Sequence, residues 1–486
     1  MICISVTPES RKLAKVDLFN ASRQCDLIEL CLDHLVKEPD VGQLLEGVTK
    51  PVIISCRRPQ EGGKFQGTAE ERQGLLRQAI VAAPAYVELD LELAAKIPRF
   101  GKTKRIISHT SLDRPLENVD EIVSRASKVN ADVVKLTCLT STLQSAWPLL
   151  AAVSATRDVP VVGVGFGNAS TTFSLLARRH GSPWIYAALE RGMEAHPGQA
   201  SVAELDEVYR WRQIDEKTRF VGVAGSGRPD GTTIRIWNRG FEALKIDKRC
   251  LPLPLDGLGG VEKMLAALRI KSLLVGSDFG STVLALAKIK DEAAEKSQFA
   301  DLLLHQPEGW CAYGRIGRST VKAIEKKLME MGAGERALER RNVLILGAGG
   351  MARSIACALG GNRGILSISA PQDKQARRIA ETFSLRHVPF AGLYETLADV
   401  VIVADPELVA GHHKTEVNPS FLRPNMLVVD VCRLPETTEF LRQAGERGAT
   451  VVDPREIHVD RISWQFRTIN GEALPPEIAS ATNENG

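Results

Sequence analysis

The sequence predicts an α/β protein in two halves, an eight-stranded parallel (β/α)8 barrel followed by a doubly wound parallel sheet, and three observations carry that reading. Eight short apolar, β-branched runs recur up to residue 190 with segments of helical period between them. A buried run, RNVLIL, enters the glycine turn GAGG and then a helical stretch at 341–360. At 486 residues the chain exceeds what one hydrophobic core serves, so several domains are expected.

Taken in order, the runs are ICISV from residue 2, DLIELCL from 26, VIISC from 52, AYVELDL from 85, KRIIS from 104, DVVKLT from 132, PVVGV from 160 and WIYAAL from 184. ERQGLLRQAIVAA and VDEIVSRASKV, which lie between them, have the 3.6-residue period of amphipathic helices. A compact strand–helix unit of about 26 residues repeated eight times makes a barrel of minimal length, placed at 1–213. After DEKTRF a second series begins. Residues 214–335 are expected to form a smaller α/β lobe, and 336–455 a Rossmann-type sheet through ILSIS, ADVVIVA and MLVVDV. Residues 456–486 form a closing segment that packs back on the lobe.

Composition narrows the partners. There are 62 basic and 59 acidic residues, a net charge of +3, and no polybasic run, so neither nucleic acid nor an anionic membrane is expected as a partner. Small anionic substrates remain, and an oligomer is compatible with the composition. Nine cysteines with no CxxC pair suit reduced, packed thiols better than disulfides or a metal site, and no metal is expected. With no signal-peptide pattern and no uninterrupted apolar run of 18 residues, a soluble cytoplasmic protein is expected.

Alternate side chains of a strand share a face. Leu27, Glu29 and Cys31 form one such set, Ile53, Ser55 and Arg57 a second, Ile107 and His109 a third, Val133 and Lys135 a fourth. Turned inward, these sets bring Glu29, Arg57, His109 and Lys135 to the C-terminal ends of strands two, three, five and six, where barrels build active sites. Burial can lower a lysine pKa to roughly 7–8 and free its amine. Lys135 could then attack a ketone to form an imine, and His109 could remove the acidified neighbouring proton and pass it to a departing hydroxyl. A lone strand lysine is more often an amphipathic edge residue, so the inference rests on the whole constellation.

These residues resemble the type I 3-dehydroquinate dehydratases. The matches run in order over residues 1 to about 210: Glu29 in IELCLD, Arg57 and Glu61 in RRPQEGG, His109 six residues before Pro115, Lys135 in ADVVKL, and Gln199 in PGQ. The resemblance implies a TIM-barrel lyase of the shikimate pathway, which serves aromatic amino acid biosynthesis. It would dehydrate 3-dehydroquinate to 3-dehydroshikimate through a Schiff base, with no cofactor. It further implies Lys135 as the imine lysine, His109 as general acid and base, Glu61 as its orienter, and Ser5, Glu29, Arg57 and Gln199 as substrate contacts. The chain departs from the family pattern at Cys31 and Ser174, where arginines are expected, and at Ala195, where serine is expected. Arg178, Arg179 and His196 are the neighbouring candidates to replace the carboxylate-gripping arginine lost at Ser174. A class I aldolase-like barrel is the enzymatic rival, and a pseudoenzyme with a binding or assembly role is the other.

The second half resembles shikimate dehydrogenase, which some lineages carry fused behind this dehydratase, in FVGVAG, Asn238 of IWNRGF, GAGGMAR and the closing QFRTINGEALP. The resemblance implies a two-lobed NADP oxidoreductase acting on shikimate or 3-dehydroshikimate, with cofactor contacts at Gly347, Ala348, Gly349, Gly350 and Ala352. Gly231 and Thr233 stand where the family has paired serines, Thr282 where it has its catalytic lysine, and Ile316 where it has its catalytic aspartate. The segment LSISAPQ has no acidic ribose acceptor and no arginine for a 2′-phosphate, though Lys374, Arg377 and Arg378 follow. A multifunctional chain with a degenerate dehydrogenase half is therefore expected.

Overall fold

The computed structural model describes residues 1–37, 39–226, 231–360, 364–409 and 417–481. They form two compact units, one built mainly from Met1–Arg219 and one mainly from the residues that follow.

The first unit is the expected barrel. Its strands are β1 (Ile2–Val6), β2 (Leu27–Cys31), β3 (Val52–Ser55), β4 (Tyr86–Asp90), β5 (Lys104–Ser111), β6 (Val133–Leu139), β7 (Val161–Phe166) and β8 (Ile185–Ala188). All pair in parallel in the order β7-β6-β5-β4-β3-β2-β1-β8, leaving the β7–β8 seam as the opening in a nearly closed sheet. Helix starts follow capping chemistry. Before the helix Ala69–Val81, Thr68 Oγ1 accepts from Glu71 N at 3.1 Å while the Glu71 carboxylate accepts from Thr68 N at 2.7 Å.

The barrel interior is plugged by Cys3, Leu27, Ile53, Ile106, Val133, Val162, Val164, Trp184 and Tyr186, with Tyr86 packed against them. Two residues further along five of the strands come Ser5, Glu29, Ser55, Glu88 and Lys135, all buried. A polar layer thus sits directly on an apolar plug, at the C-terminal side of the strands.

Beyond the barrel strands the chain forms two further sheets. The first has the order β10-β9-β11-β13-β14-β12, from β9 (Arg219–Gly225), β10 (Lys248–Pro254), β11 (Ser272–Val275), β12 (Ile289–Lys290), β13 (Leu302–Gln306) and β14 (Gly309–Tyr313), with β13 antiparallel to both β11 and β14. The second comprises β15 (Asn342–Leu346), β16 (Ile365–Ser369), β17 (Arg386–His387), β18 (Val400–Val403), β19 (Leu427–Asp430) and β20 (Thr450–Val451). Its all-parallel order β17-β16-β15-β18-β19-β20 is the 3-2-1-4-5-6 order of a doubly wound sheet, with apolar cores on both faces. The helix Pro454–Asn470 lays Phe466 against Trp237 and Phe241 of the helix Gly231–Ala243, with ring centroids 4.9 and 5.3 Å apart. Among the described residues no helix is long and apolar enough to cross a membrane.

Candidate active site

Lys135 is 1% exposed, and its ammonium is not left alone. Its Nζ donates to Glu29 Oε1 at 2.7 Å and to Glu88 Oε2 at 2.8 Å, and it lies 4.6 Å above the Tyr186 ring. Arg57 completes the network through Nη2 to Glu29 Oε1 and through Nε to Glu88 Oε1 at 3.4 Å. Ser5 Oγ donates to Glu29 Oε2 at 3.1 Å. Two cations therefore face two carboxylates, which is how burial of four charges becomes tolerable.

The charges sort themselves. Burial alone would raise Glu29, but Arg57 and Lys135 together outweigh it and hold this carboxyl well below the usual range. For Glu88 burial prevails over the same two cations and raises the carboxyl. The expectation of a lowered lysine pKa is not met: burial and Arg57 press the Lys135 pKa down, but Glu29 and Glu88 more than offset them and raise it. At rest Lys135 is an ammonium, and Glu88 is the neighbouring carboxylate that most readily takes a proton. The two carboxyls on this one amine are thus shifted in opposite directions, Glu29 down and Glu88 up.

The structure brings Lys135, Glu29, Arg57 and Ser5 together, and it corrects His109. In the β5–β6 ladder Ser108 is opposite Lys135 and His109 is opposite Leu136, and Ile106, two residues before Ser108, belongs to the interior plug. Ile106 and Ser108 therefore point inward, while Ile107 and His109 point outward. The His109 ring lines a cleft of about 670 Å³ with Ile122 and Arg125 of the helix Val119–Lys128, and burial and then Arg125 lower its pKa.

Glu61 does not orient this histidine either. Its carboxylate accepts from Arg58 N at 2.9 Å, pairs with Arg58 Nη2 at 3.0 Å and with Arg72 Nη2 at 3.1 Å, and so clamps the loop after β3. Gln199 is buried, with Oε1 accepting from Ala195 N at 2.9 Å, and among the described residues its Nε2 has no hydrogen-bond partner. Of the candidates to replace the arginine missing at Ser174, Arg178 acts on the Met1 amine and so sits at the N-terminal end of the barrel, away from the lysine. His196 is at the site, its Nε2 3.3 Å from Arg57 Nη1.

Two residues at the centre were not singled out as site groups by the sequence reading. Glu88 shares the inward face of β4 with Tyr86, and the alternation in AYVELDL carried that signal. Tyr186 had no signal beyond lying on β8.

In the second unit, Gly347 joins β15 to the helix Gly350–Leu359 at φ 123°, and a Cβ there would lie 2.8 Å from Asp405 Cβ. A Cβ at Gly349 would meet nothing within 4 Å, whereas one at Gly350 would overlap Phe299. Gly347 thus permits the turn, Gly349 leaves open space at the helix start, and Gly350 serves packing. Ala348 and Ala352 are buried. Arg353, at the same helix start, is committed to Ser297 O at 2.8 Å, Ser281 Oγ at 2.8 Å and Gln298 O at 3.1 Å. Thr282 is exposed on the 3-10 helix Thr282–Leu286. Ile316 is buried at the start of the helix Ile316–Glu330, its N–H donating to Asp301 Oδ2 at 2.6 Å.

The type I 3-dehydroquinase family model matches residues 2–216. A chloroplastic bifunctional 3-dehydroquinate dehydratase/shikimate dehydrogenase of Arabidopsis thaliana is 22% identical, over 98% of this chain and 83% of the relative. A 3-dehydroquinate dehydratase of Dehalococcoides mccartyi is 30% identical, over 43% of this chain and 94% of its own length. Among solved structures, shikimate dehydrogenase of Aquifex aeolicus overlays 55% of this chain and 98% of its own with a TM-score of 0.49 at 18% identity. With a matching family model and a relative of that identity covered almost end to end, the chain belongs, through its first 216 residues, to the type I 3-dehydroquinase family.

Proposed function

We propose that the barrel dehydrates 3-dehydroquinate to 3-dehydroshikimate through an imine on Lys135. The observation that carries this is the buried Lys135 amine held between Glu29, kept ionised, and Glu88, raised by burial. Proton transfer from Lys135 to Glu88 exposes the amine lone pair without moving net charge out of the site. Attack on the ketone, loss of water and withdrawal of electrons by the iminium then acidify the adjacent carbon. Ser5, Glu29, Arg57 and Gln199 are assigned to binding the polyol acid, with the Gln199 amide supplying a spare donor. All nine cysteines are free, in keeping with work in a reducing compartment such as the cytoplasm.

For the second half we propose a shikimate-dehydrogenase-like unit whose glycine turn, Gly347, Ala348, Gly349, Gly350 and Ala352, accepts the phosphates of NADP. Bound there, the nicotinamide would accept hydride. The chain's own contribution to that chemistry is weak, because neither Thr282 nor Ile316 can take up a hydroxyl proton near neutral pH.

The test of the barrel reading is borohydride reduction in the presence of 3-dehydroquinate, followed by peptide mass mapping. The expected result is a reduced adduct on the peptide carrying Lys135. An adduct on another lysine, or none, overturns the reading.

A further inference from the structure

From the apolar plug one aromatic ring reaches the Lys135 amine. Tyr186 stands on β8 opposite Cys3 of β1, belongs to the plug and is buried. Lys135 Nζ lies 4.6 Å from the centroid of its ring. Neighbouring rings hold it in place: Trp184 packs edge-on at 6.5 Å and 67°, and Tyr86 packs against Trp184 at 5.9 Å. Among the described residues the Tyr186 hydroxyl has no hydrogen-bond partner, so what this residue offers the amine is the face of its ring. Burial and then Glu29 hold the phenol well above its ordinary pKa, so that face belongs to a neutral phenol.

We propose that the Tyr186 ring stabilises the iminium of the Lys135 centre through a cation–π contact and so sets how much covalent intermediate the site holds. The assignment rests on the dehydratase reading above. An ammonium has three N–H donors, and Lys135 spends two of them on Glu29 and Glu88. The ring face is a third partner of a different kind, since it attracts positive charge without needing an N–H. At 1% exposure of the lysine, little water competes for that attraction.

The difference matters once the imine forms. Lys135 gives one proton to Glu88, and the freed lone pair bonds to the ketone carbon. The carbonyl oxygen then leaves as water, carrying a second proton from the nitrogen and the one that Glu88 returns. The nitrogen is positive again but keeps a single N–H, so it can hold only one of its two carboxylate hydrogen bonds. The ring keeps its hold on the charge through this change, while the uncharged carbinolamine on the way gains nothing from it. Tyr186 therefore favours the charged iminium over the neutral adduct that precedes it.

The experiment measures borohydride-trapped Lys135 adduct at a fixed, subsaturating concentration of 3-dehydroquinate, with the thermal midpoint read beside it. It compares the wild type with Tyr186→Phe, Tyr186→Leu and proteins carrying phenylalanine with one, two or three ring fluorines at position 186. Tyr186→Phe keeps the ring face and should trap adduct like the wild type. Tyr186→Leu, apolar but without a π face, should lose it about 10- to 30-fold. Each fluorine withdraws electrons from the ring face with little change in volume, so the adduct should fall stepwise along the series while the thermal midpoint holds. A purely packing role does not produce that response. A flat fluorine series, or a Tyr186→Phe protein as depleted in adduct as Tyr186→Leu, would overturn the assignment and leave the dehydratase reading standing. No Lys135 adduct in the wild type would remove the dehydratase reading and this assignment together.

Discussion

Lys135 Nζ lies 2.8 Å from Glu88 Oε2, and of the two carboxylates on the lysine it is Glu88, not Glu29, that burial raises. Two acids on one amine are thus set apart: one holds the site's charge and the other can receive a proton. Lys135→Ala is expected to abolish dehydration of 3-dehydroquinate and borohydride labelling. Because it leaves Arg57 facing two carboxylates, Glu29 and Glu88, it should also lower stability by about 3 kcal/mol. Activity assays beside a denaturant titration check both effects, and measurable turnover by a folded Lys135→Ala protein overturns the imine reading.

Glu88→Gln tests the proton acceptor. The amide keeps the shape but cannot take up the Lys135 proton, so imine formation should slow by about 10²-fold or more in single-turnover trapping. Glu61→Gln, outside the lysine network, should form the imine at the wild-type rate and lose only the loop clamp to Arg58 and Arg72. Equal slowing in both variants would place the proton transfer elsewhere.

Stability should fall on mild acidification. His196 and His458 are each pulled down to about 3, by burial first and then by Arg57 and Lys135 for His196 and by Arg461 for His458. An unfolded histidine protonates near pH ~6.5, so below that the unfolded chain binds more protons than the folded one. The stabilising contribution is complete above pH ~6.5 and is lost as the pH falls toward 3, at up to about 1.4 kcal/mol per pH unit for each histidine. Denaturant midpoints at pH 7 and pH 5 should differ for the wild type and differ less for His458→Gln. A pH-independent midpoint would contradict the buried neutral state.

Shikimate oxidation by the wild type, followed as NADP reduction, should be weak or absent. Restoring the family's residues by Thr282→Lys with Ile316→Asp should not rescue it. Ile316 is 1% exposed, and its N–H sits on Asp301, whose carboxyl burial already raises. A second carboxylate there faces the first in a dry environment, and the cost should be about 3 kcal/mol or more, read as a lowered melting temperature. Vigorous wild-type turnover would show that another residue relays the proton.

The sequence by itself determined where the strands lie. Runs of β-branched residues spaced by helical segments located all eight barrel strands within about two residues, and RNVLILGAGG marked the first strand and turn of the doubly wound sheet. It also marked Lys135, Glu29 and Arg57, because a charged side chain in an apolar strand is costly to bury unless an opposite charge meets it. The inward face of β5 was decided only in three dimensions. In KRIISHTS one face carries Ile106 and the other Ile107, so alternation shows two equivalent faces, and the ladders that set Ile106 opposite Glu88 and Ser108 opposite Lys135 choose between them. The same holds for Lys135's proton. Burial alone lowers a lysine pKa, but the sign reverses once two carboxylates lie within 3 Å. Glu29 and Glu88 stand 106 and 47 residues from Lys135 along the chain, so only strand register and barrel closure bring them to the amine.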